Sequence, residues 1–181
     1  MIIAKQKKKE NIVEYVLYMW QVEDLIRACK FDINVIQTGI IEQFAQPDDI
    51  KQEMRDWYQS FINMMQEEHV TEKGHTQIIK NIVNDMNGLH MEMLQSHSQT
   101  DYNVVFFNTL PYLSEYRQKS GAGEDVNDIE LCLNLLYQIL LLRLQKKEIS
   151  TDTMNVVSQV SKLMAVFAAK YKKDENGELK L

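Results

Sequence analysis

Apolar residues recur along most of this chain with the period of an α-helix. After Pro47, the residues Ile50, Met54, Trp57, Tyr58, Phe61, Met64 and Met65 fall on one face of a helical wheel. Lys51, Gln52, Arg55, Asp56, Gln59, Asn63 and Gln66 fall mostly on the other. A second amphipathic stretch, Thr76–Gln95, repeats the pattern with Ile79, Val83, Met86, Leu89, Met93 and Leu94. Further helices are expected over Lys9–Cys29, from Asp32 to about Phe44, over Asp101–Lys119, near 128–147, and from Ser150 to about Tyr171. No stretch alternates as a strand would.

The punctuation fits these spans. Asp32, Asn127 and Ser150 are N-cap residue types, and Glu130 stands three residues after Asn127 as in a capping box. Pro47 with Asp48 and Asp49 suits a first helical turn. Gly74 marks a break, and Ser120–Gly123 marks a loop. Pro111 predicts a kink or restart within its helix. The link between the last two helices is short enough to make them an antiparallel hairpin.

The implied architecture is all-α: one antiparallel bundle domain over residues 1–181, of about six or seven helices. The helix near 128–147 is central, because the run Leu131–Leu144 is almost wholly apolar and its polar stripe, Glu130, Asn134 and Gln138, is narrow. Residues 1–8 read as a basic arm, 118–126 as a flexible loop and 172–181 as a frayed tail.

Composition and charge narrow the partners. A chain of 181 residues with 45% hydrophobic residues can bury a sizeable core, and 6 glycines with 2 prolines leave long helices uninterrupted. The net charge of -6 argues against general nucleic-acid binding, which needs a basic surface. Lys5 and Lys7–Lys9 form the single basic run. The run Leu131–Leu144 is shorter than the ~20 residues that span a bilayer. Ile12–Val22 is interrupted by Glu14 and Gln21 and is followed by charges rather than a cleavage site, which argues against a signal peptide. Cys29 and Cys132 fit free thiols in a reducing compartment. The expected setting is cytoplasmic.

Chemistry is faint. No HExxH, GxSxG or glycine-rich phosphate loop is present, so no catalytic residue, metal or cofactor is assigned. The anomalies are charges on apolar faces. At ~100° per residue, Glu23 points inward with Val16, Met19 and Ile26, and Arg27 follows one turn later, spaced to pair with it. Arg143 lies opposite the polar stripe of its helix, beside Leu136, Ile139 and Leu140. Together they outline a polar pocket for a small anionic ligand, with His90 as a further candidate on an apolar face. The bland alternatives are helix ends leaving the core, a buried ion-pair network, and a core histidine. A stripe of small residues, Ser158, Ser161, Ala165 and Ala168, implies tight helix packing or a dimer seam. The absence of catalytic motifs and the abundance of Met and aromatic residues favour a non-enzymatic interaction module that pairs with itself or with another protein. A ligand-binding or enzymatic bundle is the alternative.

Two parts of the chain resemble a known family. They are Met1-Ile2-Ile3-Ala4 through Ile12 with Glu14-Tyr15 and Tyr18–Arg27, and Leu131–Asn134 with Leu140–Leu144 and Lys147–Ser150. These residues are similar to small bacterial proteins, seen mainly in Bacteroidetes and described as a domain of unknown function, and the resemblance covers nearly the full chain. It implies a compact helical fold and a bacterial cytoplasmic setting. It supplies no activity and no functional residues.

Overall fold

The computed structural model describes residues 2–181, with side chains from Ile3 onward. Its eight α-helices are α1 (Ile2–Glu10), α2 (Ile12–Ala28), α3 (Ile33–Gly39), α4 (Asp48–Glu67), α5 (Gln77–Gln95), α6 (Thr100–Ser120), α7 (Asp128–Leu144) and α8 (Thr151–Glu175). Short 3-10 turns at Ile41–Gln43 and His97–Gln99 complete the order, and no strand occurs among the described residues. The protein is all-α.

The chain forms two compact units. The first comprises Met1–Lys9 with Glu14–Asn81, and the second Glu10–Val13 with Ile82–Leu181.

In the first unit the basic arm expected over residues 1–8 is helical from Ile2 onward, the described part. α1 and α2 are separate helices because Asn11 turns its side chain onto the backbone, its Oδ1 accepting from Val13 N at 3.0 Å. That is N-cap chemistry two residues past the Lys9 start expected for this helix. Asp32 caps α3 through Asn34 N, and Pro47 precedes the acidic first turn of α4. The apolar face of α4 is buried at Met54, Tyr58, Phe61, Ile62 and Met65.

In the second unit α6, α7 and α8 pack against one another. The caps are those of the sequence: Asn127 accepts from Glu130 N at 2.8 Å, and Ser150 accepts from Thr153 N at 3.2 Å. α6 runs unbroken through Pro111. Pro111 and Phe107, one turn earlier, are both exposed, so the carbonyl that loses its donor faces water and no restart is needed. The loop after α6 is tied down, since Arg117 Nη1 donates to the carbonyls of Gly123 and Val126. α8 extends into the expected tail as far as Glu175, and Gln99 donates to the Lys180 carbonyl beyond it.

α7 is buried in its first half, at Ile129, Leu131, Cys132, Leu133 and Leu135. Its last turns are less enclosed: Leu140–Leu142 are half-buried and Leu144 is exposed. The small-residue stripe of α8 is buried at Ala168 and exposed at Ser158, Ser161 and Ala165.

Candidate functional site

One face of α2 carries Trp20, Glu23, Asp24 and Arg27, spaced so that helical geometry stacks them on a single side. Within the first unit this face holds the segment that joins α4 to α5. Glu23 is fully buried, and its carboxylate accepts three hydrogen bonds: from His75 Nδ1 at 2.5 Å, Thr76 N at 2.8 Å and Thr76 Oγ1 at 3.0 Å. A carboxylate so placed is tolerated only when paired and bonded in this way. Thr76 is itself fully buried and stands just before α5, where its carbonyl accepts from Ile79 N and Lys80 N. Glu23 therefore caps a helix other than its own, at the end where the helix dipole favours negative charge.

Arg27 completes the hold. It pairs with Asp24 at 2.8 Å, one turn away, rather than with Glu23, and donates to the carbonyls of Val70 and Gly74. Gly74 has φ 84°, a conformation that glycine adopts without strain. The His75 ring lies flat against Trp20, centroids 4.3 Å apart and planes 12° from parallel.

A carboxylate that fixes an imidazole by Nδ1 is an arrangement that general bases and metal ligands also use. Here the Thr76 hydroxyl bonds the Glu23 carboxylate rather than the ring. Among the described residues no group of three or more His, Cys, Asp or Glu side chains is placed to hold a metal ion. The geometry is that of a clamp on residues 70–76.

The remaining predicted site residues lie in the second unit. Arg143, in the last turn of α7, is exposed and donates to Met154 Sδ at 3.9 Å. His90 is buried on α5, where Nδ1 and the Tyr102 hydroxyl share a hydrogen bond of 2.7 Å and Phe106 meets the ring edge-on at 4.8 Å. Burial pushes the His90 pKa below its ordinary value, against the opposing pull of the Asp128 carboxylate. Burial likewise pushes the Cys132 thiol up, which disfavours its thiolate.

The described residues also form surface grooves, of which two bear on function. One, of about 590 Å³ in the second unit, is lined by Tyr112, Tyr116, Thr153, Asn155 and Gln159 among others. Much of its wall is polar and serves water well. The other, of about 340 Å³, lies in the first unit between α1, α2, α4 and the start of α5. Tyr15, Met19, Trp57, Phe61, Met64 and Ile78 give it apolar walls, and Lys5 and Lys8 line it from α1. Ile78 is 47% exposed. Trp57 and Phe61 stack, ring centroids 5.6 Å apart. The helical wheel marks Trp57, Phe61 and Met64 as sharing a face. It carried no sign that this face would be left partly open.

No helix among the described residues is long and apolar enough to cross a membrane. No curated protein and no solved structure matches the chain. A family model matches residues 1–178, and on that span the chain belongs to the family described as Domain of unknown function (DUF4924).

Proposed function

We propose that this protein is a non-enzymatic interaction module of the cytoplasm, and that the apolar groove of its first unit receives an element of a partner. The groove is the observation that carries the reading. Tyr15, Met19 and Phe61 form its buried floor, Trp57 and Met64 are half-buried and Ile78 is exposed. Apolar side chains left at a surface lose hydrophobic free energy unless something covers them, and methionine adapts its shape to an occupant. The charged residues that first suggested a ligand pocket favour this reading over an enzyme. Glu23 is spent on His75 and Thr76, and Arg27 on Asp24 and backbone carbonyls. Two free cysteines, one of them buried, suit a reducing compartment.

A photoreactive side chain at position 78 tests this in the producing cell. A discrete protein adduct, with another chain or with a second copy of this one, is the expected product, and its mass tells the two apart. Adducts with small molecules alone, or no adduct, would remove the reading.

A further inference from the structure

We propose that the occupant of this groove is an amphipathic helix of a partner protein that carries acidic side chains beside its apolar anchors. The proposal rests on the interaction-module reading and adds the chemistry of the partner.

The walls set the shape of the occupant. Trp57, Phe61 and Met64 come from successive turns of α4, Tyr15 and Met19 from one face of α2, and Ile78 from α5. Walls contributed by three helices form a trough. A space of about 340 Å³ suits the few anchor side chains that a helix presents at i, i+3 or i+4, and i+7.

The rim sets its charge. Lys5 and Lys8 are one turn apart on α1 and both line the groove. Lys8 Nζ stands 5.8 Å from the centroid of the Tyr15 ring, so its ammonium lies over an apolar wall. Lys7, on another side of α1, is already paired with Glu14 at 2.9 Å. Among the described residues neither Lys5 nor Lys8 has an ion-pair partner. In a chain of net charge -6, two lysines left unpaired beside an apolar trough are a local reversal of sign. Carboxylates flanking an apolar anchor would meet them, and charge matching of this kind selects and steers a partner. A nucleic acid would find two lysines and a greasy wall, too little basic surface for its phosphates. A membrane is met best by apolar side chains that project, whereas these line a hollow.

Three synthetic helical peptides test the proposal. They share one Leu/Phe face and differ in flanking residues, which are Glu, Gln or Lys. Binding to the full chain is read from Trp57 emission, with the Trp57→Phe variant as blank, since Trp20 is the other tryptophan. The Glu peptide is expected to bind about tenfold more tightly than the Lys peptide at low salt. That preference should shrink in ~0.5 M salt, where screening is short-ranged, and invert in the Lys5→Glu/Lys8→Glu double variant. Equal binding by all three peptides would leave the groove reading intact and overturn the charge proposal. Binding by none would overturn both. A stronger response to vesicles containing about one-fifth phosphatidylserine than to the Glu peptide would assign the groove to membranes and overturn the helix. A dimer in sedimentation that the double lysine variant dissociates would make the occupant a second copy, and would overturn it as well.

Discussion

Glu23 and His90 show what a buried polar residue needs at the scale of single side chains. Glu23 anchors three donors, so Glu23→Ala leaves Thr76 and His75 without their acceptor. We expect the variant to lose about 3 kcal/mol of unfolding free energy in urea titrations. A midpoint shift corresponding to less than ~1 kcal/mol would show that the clamp contributes little. His90 makes a different prediction. Burial lowers its folded pKa, so below about pH 6.5 the unfolded chain binds a proton that the folded chain refuses. Stability should therefore fall as pH drops from about 6.5, and level off once the folded His90 also titrates. His90→Gln removes this contribution, and its melting temperature should decline less than that of the parent between pH 7 and 5. Parallel profiles would contradict the assignment. The inward turn of Glu23 was legible from the helical period alone. Its partners were not, because His75 and Thr76 lie far along the chain and only folding brings them to α2. The Tyr102 hydroxyl that bonds His90 Nδ1 was hidden in the same way.

Helix ends are where the elements of this protein store strain. α7 closes with Lys147 N bonded to the Leu142 carbonyl and Lys146 N to the Arg143 carbonyl, which puts Lys146 at φ 55°. A glycine usually fills this left-handed position. Lys146→Gly is expected to raise stability by about 0.5–1 kcal/mol, read as a higher melting temperature, because relief of the side-chain clash outweighs the added freedom of the unfolded chain. A lower melting temperature would show that the lysine makes a compensating contact. The caps at Asp32, Asn127 and Ser150 were readable because each acts on a neighbour within a few residues. The division at Asn11 was missed, although Asn11 also acts on a near neighbour, Val13 N, because the first helix was expected to begin at Lys9. Pro111 erred the other way. A proline is visible in sequence, but the exposure that makes it harmless in α6 depends on which face of the helix meets water.

At the scale of the whole molecule, the sequence settled the all-helical class, because amphipathic periods and caps are local properties. It also marked the basic run Lys5–Lys9, although that run forms a helix and not an arm. The surface groove lay beyond it. The wheel of α4 groups Trp57, Phe61 and Met64, but whether a neighbour covers them depends on how helices of fixed length meet around them. The two lysines gain meaning only in that setting. As composition they are a small correction to an acidic total, whereas on the rim of the groove they are positive charges with no ion-pair partner among the described residues.

The stack of Trp20 on His75 has a further use. An indole stacked on an imidazole changes its emission when the rings part. In Trp57→Phe, the blank of the peptide experiment, all tryptophan emission comes from Trp20. That chain is thus a built-in optical reporter of the segment at residues 70–76. Rapid mixing with denaturant would give the rate at which the clamp releases, resolved from the unfolding of the rest, with no label added.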